Sequence, residues 1–213
     1  MTVKFVQYTN NSGSSSIAFG SNNQANDLLV MCVTFTDFGT TQVATCTDTL
    51  GNVWNRVAAS AMSDPTTPPV QIELWYAQAS RVGANTVTLT WTGATPATTA
   101  MDIAEYKGAA VNGNPVNLVT TANAAGTTPS IGPFTVTGTS VVVSFVAPVG
   151  NVSAGDAGSN YRGSNPIGCG YEDRFVGPGL NTMSFTIDAG PSLIFAVAFN
   201  EESANALVFG ADF

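Results

Sequence analysis

Histidine is missing from this 213-residue chain, and basic residues are nearly so. Without an imidazole there is no Ser-His-Asp or Cys-His relay and none of the usual zinc sites. Lys and Arg number 6 against 14 Asp and Glu, a formal charge of −8, and they are scattered from Lys4 to Arg174. Such a surface repels nucleic-acid phosphates and anionic lipid, so neither is an expected partner. Charged residues make up only 9 % of the chain, against about a quarter in an ordinary domain, which excludes the charged outer face of a coiled coil. At 44 % apolar the chain is also unlike the highly charged, weakly hydrophobic disordered class. No apolar run approaches the length of a membrane span, and no Gly-rich phosphate loop stands between a strand and a helix.

Cysteine is scarce as well. Cys32, Cys46 and Cys169 are an odd number at wide spacing, which is neither a disulfide framework nor a metal-ligand pattern. Buried thiols are expected, with a single Cys32–Cys46 bridge as the alternative. Met1 to Tyr8 lacks the apolar h-region of a signal peptide. That favours synthesis in the cytoplasm and release by another route, such as lysis, over secretion with a trimmed leader.

What is present is a succession of short β-rich segments between Gly, Pro and Asn turns. Strands are expected at Val3 to Tyr8, Asp27 to Phe35, Val43 to Thr47, Trp54 to Ala58, Val70 to Ala77, Thr86 to Trp91 and Met101 to Tyr106. In the second half they fall at Phe134 to Val136, Ser140 to Val146, Gly170 to Phe175, Thr182 to Ile187 and Leu193 to Phe199. Helical spacing over ten residues does not occur, and β-branched residues dominate. Met62 to Pro69 and Gly150 to Asn165 are expected to be irregular excursions, whereas Val111, Val116, Leu118 and Val119 between the halves have the character of packed residues.

Two segments repeat weakly. Asn26 to Phe35 resembles Gly138 to Phe145. Glu73-Leu-Trp-Tyr76 followed by Gly83-Ala-Asn-Thr-Val-Thr-Leu-Thr-Trp91 is echoed by Gly170-Tyr-Glu-Asp-Arg174 followed by Gly179-Leu-Asn-Thr-Met-Ser-Phe-Thr-Ile187. The chain is therefore expected to be all-β, an antiparallel, jelly-roll-like β-sandwich with a weak internal duplication. A single domain over 1–213 with pseudo-repeat halves of roughly 1–108 and 109–213, the halves interleaving in one sandwich, is favoured over two separate small domains, because no Pro/Gly linker divides them.

Asn26-Asp-Leu-Leu-Val30, Asp48-Thr-Leu-Gly-Asn-Val-Trp54, Leu74-Trp-Tyr-Ala77, Gly83-Ala-Asn-Thr-Val87, Ile103-Ala-Glu-Tyr106, Tyr171-Glu-Asp173 and Ala196-Val-Ala-Phe199 together resemble an uncharacterised β-sandwich domain family found in bacterial surface proteins and phage structural proteins. The resemblance covers nearly the whole chain. It implies a fold and no catalytic residues.

Paired carboxylates are the remaining acid/base option, and Glu73, Asp102, Glu105, Glu172 and Asp173 fall on strands. Asp102 and Glu105, three apart, should face opposite sides. Glu73 and Glu172 sit at nearly equivalent repeat positions, which favours a structural role, and Arg174 should pair with Glu172 on one face. No cofactor is expected. Calcium is the one candidate, through Asp37, Asp48, Asn52, Asp64, Asp156 and Asp188 in or beside loops, although Asp48 to Asn52 reads as a β-turn with Gly51 at positive φ. A sugar platform would need exposed rings. Trp75 and Tyr76 are adjacent and Trp91 continues the Val87–Leu89 face, so only Trp54 or Tyr76 is left for it.

The functional expectation is a phage virion structural protein, a capsid decoration or accessory protein that docks multivalently on major capsid or tail proteins and forms homo-oligomers. It is expected to be no enzyme and to reside in the virion. A secreted carbohydrate-binding or adhesive module is the alternative. The apolar Leu207, Val208, Phe209 and Phe213 at the C-terminal end are the expected assembly contact. Circular dichroism should give a β spectrum with helix near background; a helix share above about a fifth would contradict this reading.

Overall fold

The computed structural model describes residues 3–36, 43–57, 62–63, 70–78, 80–96, 98–110, 115–148, 150–188 and 190–202. Among them there is no helix, and the chain is an all-β, antiparallel sandwich protein. Its first half holds β1 (Lys4–Ser12), β2 (Ser16–Ala18), β3 (Leu28–Thr36), β4 (Val43–Asp48), β5 (Trp54–Arg56), β6 (Met62–Ser63), β7 (Val70–Ala77), β8 (Thr86–Trp91) and β9 (Thr98–Lys107). The second holds β10 (Val116–Ala125), β11 (Ser130–Val136), β12 (Ser140–Pro148), β13 (Val152–Gly155), β14 (Asn160–Ser164), β15 (Gly170–Val176), β16 (Gly179–Ile187) and β17 (Pro191–Asn200).

The duplication is exact in winding. One half builds a large sheet in the order β1-β9-β3-β7-β5, with β6 also on β7, and a small sheet β2-β8-β4; the other builds β10-β17-β12-β15-β14 and β11-β16-β13. Each half follows the jelly-roll path, with its fifth strand joined to the larger sheet. The bulges repeat too. β1 shifts register between Phe5 and Gln7 against β9, and β10 between Val116 and Leu118 against β17. β4 shifts between Val43 and Thr45, and β13 between Val152 and Ala154. Gly83 and Gly179, at equivalent turns, share a φ of 138°, a conformation that L side chains rarely adopt.

Every sheet draws its strands from one half, so the halves do not interleave in a single sandwich as the sequence favours. They stack instead, with the two large sheets face to face, which leaves four layers and three cores. Strand side chains alternate between faces, and β3 shows the consequence: Leu28, Val30 and Cys32 enter the middle core while Leu29, Met31, Val33 and Phe35 enter the first half's own core. β12 and β17 do the same, with Val141, Val143, Phe195 and Val197 in the middle and Val142, Val146, Ile194 and Ala196 in the second half's core. A sheet buried on both faces has no solvated side. The near-continuous apolar runs of these strands, and the lack of a linker between the halves, have this single cause.

Other local expectations change for reasons of backbone geometry. The β1 bulge turns Tyr8 to the side of Val3 and Phe5, so all three meet the middle core. A regular strand would have put Tyr8 opposite them. Gly150 to Asn165 is not an irregular excursion throughout, because β13 and β14 pair there through backbone bonds while offering little apolar periodicity. Val116 to Ala125, unnamed as a strand in sequence, is the edge of its sheet, with Val116 packed on the middle core. Met62 and Ser63 pair with β7; the other residues to Pro69, and Val111, lie outside the described residues. In the middle core Phe145 and Phe195 stack at 5.8 Å between ring centroids. Phe145→Ala should cost about 3–5 kcal/mol, read as a lower urea midpoint with an unchanged m-value; a loss under about 1 kcal/mol would contradict a close-packed middle layer.

Candidate functional site

The chemistry-bearing residues gather at one end of the seam between the stacked halves. There β1 and β9 of the first half face β14, β15 and the loop between them. Asp102, wholly buried on β9, accepts a hydrogen bond from the Tyr8 hydroxyl at 2.5 Å and another from Asn165 Nδ2 at 2.8 Å. Asn165 Oδ1 in turn accepts the backbone N–H groups of Ile167 and Cys169. One carboxylate thus fixes the β14–β15 loop onto the other half. Beside it Asp173, also wholly buried, takes the Arg162 guanidinium in a fork, Nε at 2.6 Å and Nη2 at 2.9 Å. Tyr106 Oη and Asn160 Nδ2 each donate to Asp173 at 3.0 Å, and Tyr171 Oη lies 3.0 Å from Tyr106 Oη. The guanidinium carbon stands 3.5 Å from the centroid of Phe5, a cation–π contact across the seam.

The same seam reads differently at its other end. Register places Phe195 where the first half has Asp102, Leu74 where the second has Tyr171, and Tyr76 where the second has Asp173. That end is apolar, with Tyr76 edge-on to Phe199 at 5.7 Å. The pseudo-symmetric stack therefore has one polar and one greasy end.

The remaining carboxylates of the sequence reading are on strands, as expected, and all of them are enclosed. Glu105 faces away from the seam, opposite to Asp102. Glu73 accepts from the Val43 N–H at 3.1 Å and from Trp75 Nε1 at 3.0 Å, and Arg56 stands 3.8 Å away. Burial still lifts it above the usual carboxylate range. Glu172 is not the register counterpart of Glu73: it occupies the place of Trp75, two residues along on the same face. It accepts the Asp156 N–H at 2.9 Å. Arg174 pairs with Asp156 and with Ser159 Oγ at 3.0 Å in place of the expected direct bond to Glu172, because the β13–β14 turn brings Asp156 closer. Burial pushes Glu172 up to about 7, with the Asp156 charge adding to the rise and its N–H bond and Arg174 opposing it. Burial likewise pushes Asp102 up to about 7 against its two hydrogen bonds.

Loop oxygens proposed for calcium have other work. Asp48 accepts the N–H groups of Leu50 and Asn52 and the side chains of Asn52, Trp54 and Asn85, which together hold its pKa low against burial. Gly51 has the positive φ the turn requires. Asp188 accepts from Asn151, and Asp37 and Asp64 lie outside the described residues. The rings are also occupied. Trp54 is buried, Trp91 packs on Phe35 and donates to Ser15 Oγ, and Tyr76 is half-buried in the seam, so neither ring left for a sugar platform forms one. The three cysteines are free and buried; Cys32 and Cys46 sit in different cores, on opposite faces of the large sheet. Leu207, Val208, Phe209 and Phe213 lie outside the described residues.

Sequence reasoning missed the exposed apolar side chains. Val53 is 74 % exposed, Val82 62 %, Leu180 75 % and Phe175 39 %. Arg81 ties the Val82 turn to Asn52 and Leu50, so Val53 and Val82 share a tip. Phe175 and Leu180 flank the equivalent β15–β16 turn. For Val82 and Leu180 the signal was a large apolar residue beside a turn glycine, Gly83 and Gly179. No family profile, curated protein or solved structure matches this chain.

The raised carboxyls carry a pH signature. Protonated Asp102 and Glu172 are favoured by folding, so their contribution is whole below the ordinary values of 3.8 and 4.5 and is lost as pH rises to about 7. The unfolding free energy should fall across that window by up to about 1.4 kcal/mol per pH unit for each proton. Asp102→Asn should remove roughly one proton's worth of that slope in denaturant titrations; an unchanged slope would show that Asp102 stays ionised.

Proposed function

We propose that this chain is a structural protein of a phage virion, a capsid decoration or accessory protein that docks multivalently on major capsid or tail proteins and self-associates. The observation that carries the reading is the division of labour between interior and surface. The strand carboxylates and the indole rings serve interior hydrogen bonds and packing, while apolar side chains stand exposed at equivalent turns of the two halves. Jelly rolls occur in viral capsids and in lectins alike, so the winding by itself does not choose a function. Against a lectin-type role stands the inward use of Trp54 and Tyr76; toward assembly stand the paired tips, the sparse charge and the apolar residues of the C-terminal tail. Weak contacts of this size gain affinity by repetition over a symmetric shell. We assign no catalytic role, since a sugar would have to reach carboxylates that the sheets enclose.

Co-sedimentation with virus particles tests the proposal. Wild type should pellet with particles. Val82→Asp with Leu180→Asp should leave the thermal melt nearly unchanged and weaken docking at least about tenfold, one exposed apolar contact per tip being lost. Deleting Ala206 to Phe213 should abolish oligomers while leaving a folded β protein. Wild type that stays in the supernatant, or that releases reducing sugar from a glycan, would overturn the reading.

A further inference from the structure

An edge strand offers a row of N–H and C=O groups to any further strand, and proteins blunt such edges by shortness, charge, proline or a bulge. Among the described residues nearly every sheet edge here is blunted. β2 and β5 have three residues, β6 two and β13 four. β14 carries Arg162 and a register shift between Tyr161 and Gly163. β11 contains Pro133 and shifts between Ile131 and Phe134. β4 has the shift after Val43 and ends on Asp48. β1 begins on Lys4, has its own shift, and is tied through the Gln7 side chain to Ser21. The edge of the second large sheet at β10 is different. Past the shift at its start, Leu118 to Ala125 pairs residue for residue with β17 and contains no charged residue and no proline. No described strand pairs with its other side.

A segment suited to this edge starts beside it. The described chain runs to Glu202, and just before that point the Asn200 N–H donates to Pro115 O at 2.8 Å, where β10 begins. Residues 203–213 follow, with Leu207, Val208 and Phe209 apolar in succession and Asp212 the one charged residue. Successive apolar residues are the mark of a strand in a sheet covered on both faces, and the sheet that β10 borders is of that kind. Run along β10 of its own chain from this starting point, the segment would lie parallel to it. From a second copy it can lie antiparallel, the more stable pairing. Two copies of a chain with a formal charge of −8 repel each other. The β10 edge and residues 203–211 are stretches without charge that can meet with little of that penalty.

We propose that the β10 edge is the acceptor for self-association, and that residues 206–213 of a second copy add to it as an antiparallel strand. The proposal rests on the self-association part of the reading above and not on the virion. Hydrogen exchange of the wild type, dilute and concentrated, tests it without a variant. In the associated protein alternate amides of Leu118 to Ala125, and those of residues 206–213, should exchange at least about tenfold more slowly than in the dilute monomer. The amides of β1 and β14 should not change. Thr120→Lys with Thr121→Lys puts charge on both faces of the edge and should raise the Kd of self-association at least about tenfold. Three results would each overturn the proposal, whether or not that variant folds. One is a wild type that stays monomeric, and another is an oligomer whose β10 amides exchange as in the monomer. The third is slow exchange of both segments in the dilute monomer, which would put the chain's own residues on the edge. A wild type that associates through β10 yet does not pellet with particles would uphold the edge contact and overturn only the virion docking.

Discussion

The middle strands of the two large sheets have no solvent-facing side, and that constraint governs most of what this chain is. Each must fill a core of its own half and a core shared with the other half. The middle strands β3, β9, β12 and β17 are accordingly apolar at successive positions, not alternate ones. A charged group placed in the shared layer has to bring its partner with it, since a lone buried charge is far more costly than a paired one. Asp173 arrives with the Arg162 fork, two tyrosines and an asparagine; Asp102 arrives with Tyr8 and Asn165. Networks satisfied to this degree rigidify a layer, whereas half-satisfied ones would weaken it.

The polar end of the seam also breaks a symmetry that the winding would otherwise allow. Two jelly rolls of the same path, stacked through the same face, could pair with copies of themselves in the way an isologous dimer does. Here Asp102 and Tyr8 belong to one half while Arg162 and Asn165 belong to the other, and Phe195, Leu74 and Tyr76 are the counterparts of Asp102, Tyr171 and Asp173. Pairing the first half with another first half would deprive Asp102 of the Asn165 donor, which only the second half supplies. The halves thus specify each other through an unfavourable alternative as much as through the favourable contact. The Arg162 stack on Phe5 and the Tyr8–Tyr171 ring contact at 5.3 Å reinforce that register.

Strand existence, the all-β class, the duplication and the buried free cysteines were legible in sequence, because β-branched alternation and the Gly83/Gly179 turns report local geometry directly. Stacking of the halves was not. A strand buried on both faces shows a continuous apolar run, and such a run does not say whether its second face meets a partner sheet or an interleaved neighbour. The side Tyr8 takes was not legible, because the β1 bulge that sets it leaves no mark in side-chain alternation. β13 and β14 were missed because their polar residues and glycines, Ser153, Asn160 and Gly163 among them, leave little apolar alternation. For the site, the carboxylates were found and their partners were not: Arg162 and Asn165 lie far along the chain from Phe5 and Asp102, and only the stacked sheets bring them together.

If the halves share one core, neither should open without the other. Native-state hydrogen exchange with residue-level resolution tests this most directly. The shared core predicts that the most protected amides of β3 and β9 and those of β12 and β17 exchange through one common opening, with the same free energy and the same denaturant dependence. Two separate levels, with the amides of one half exchanging at a distinctly lower free energy and a smaller denaturant slope while the other half stays closed, would contradict it.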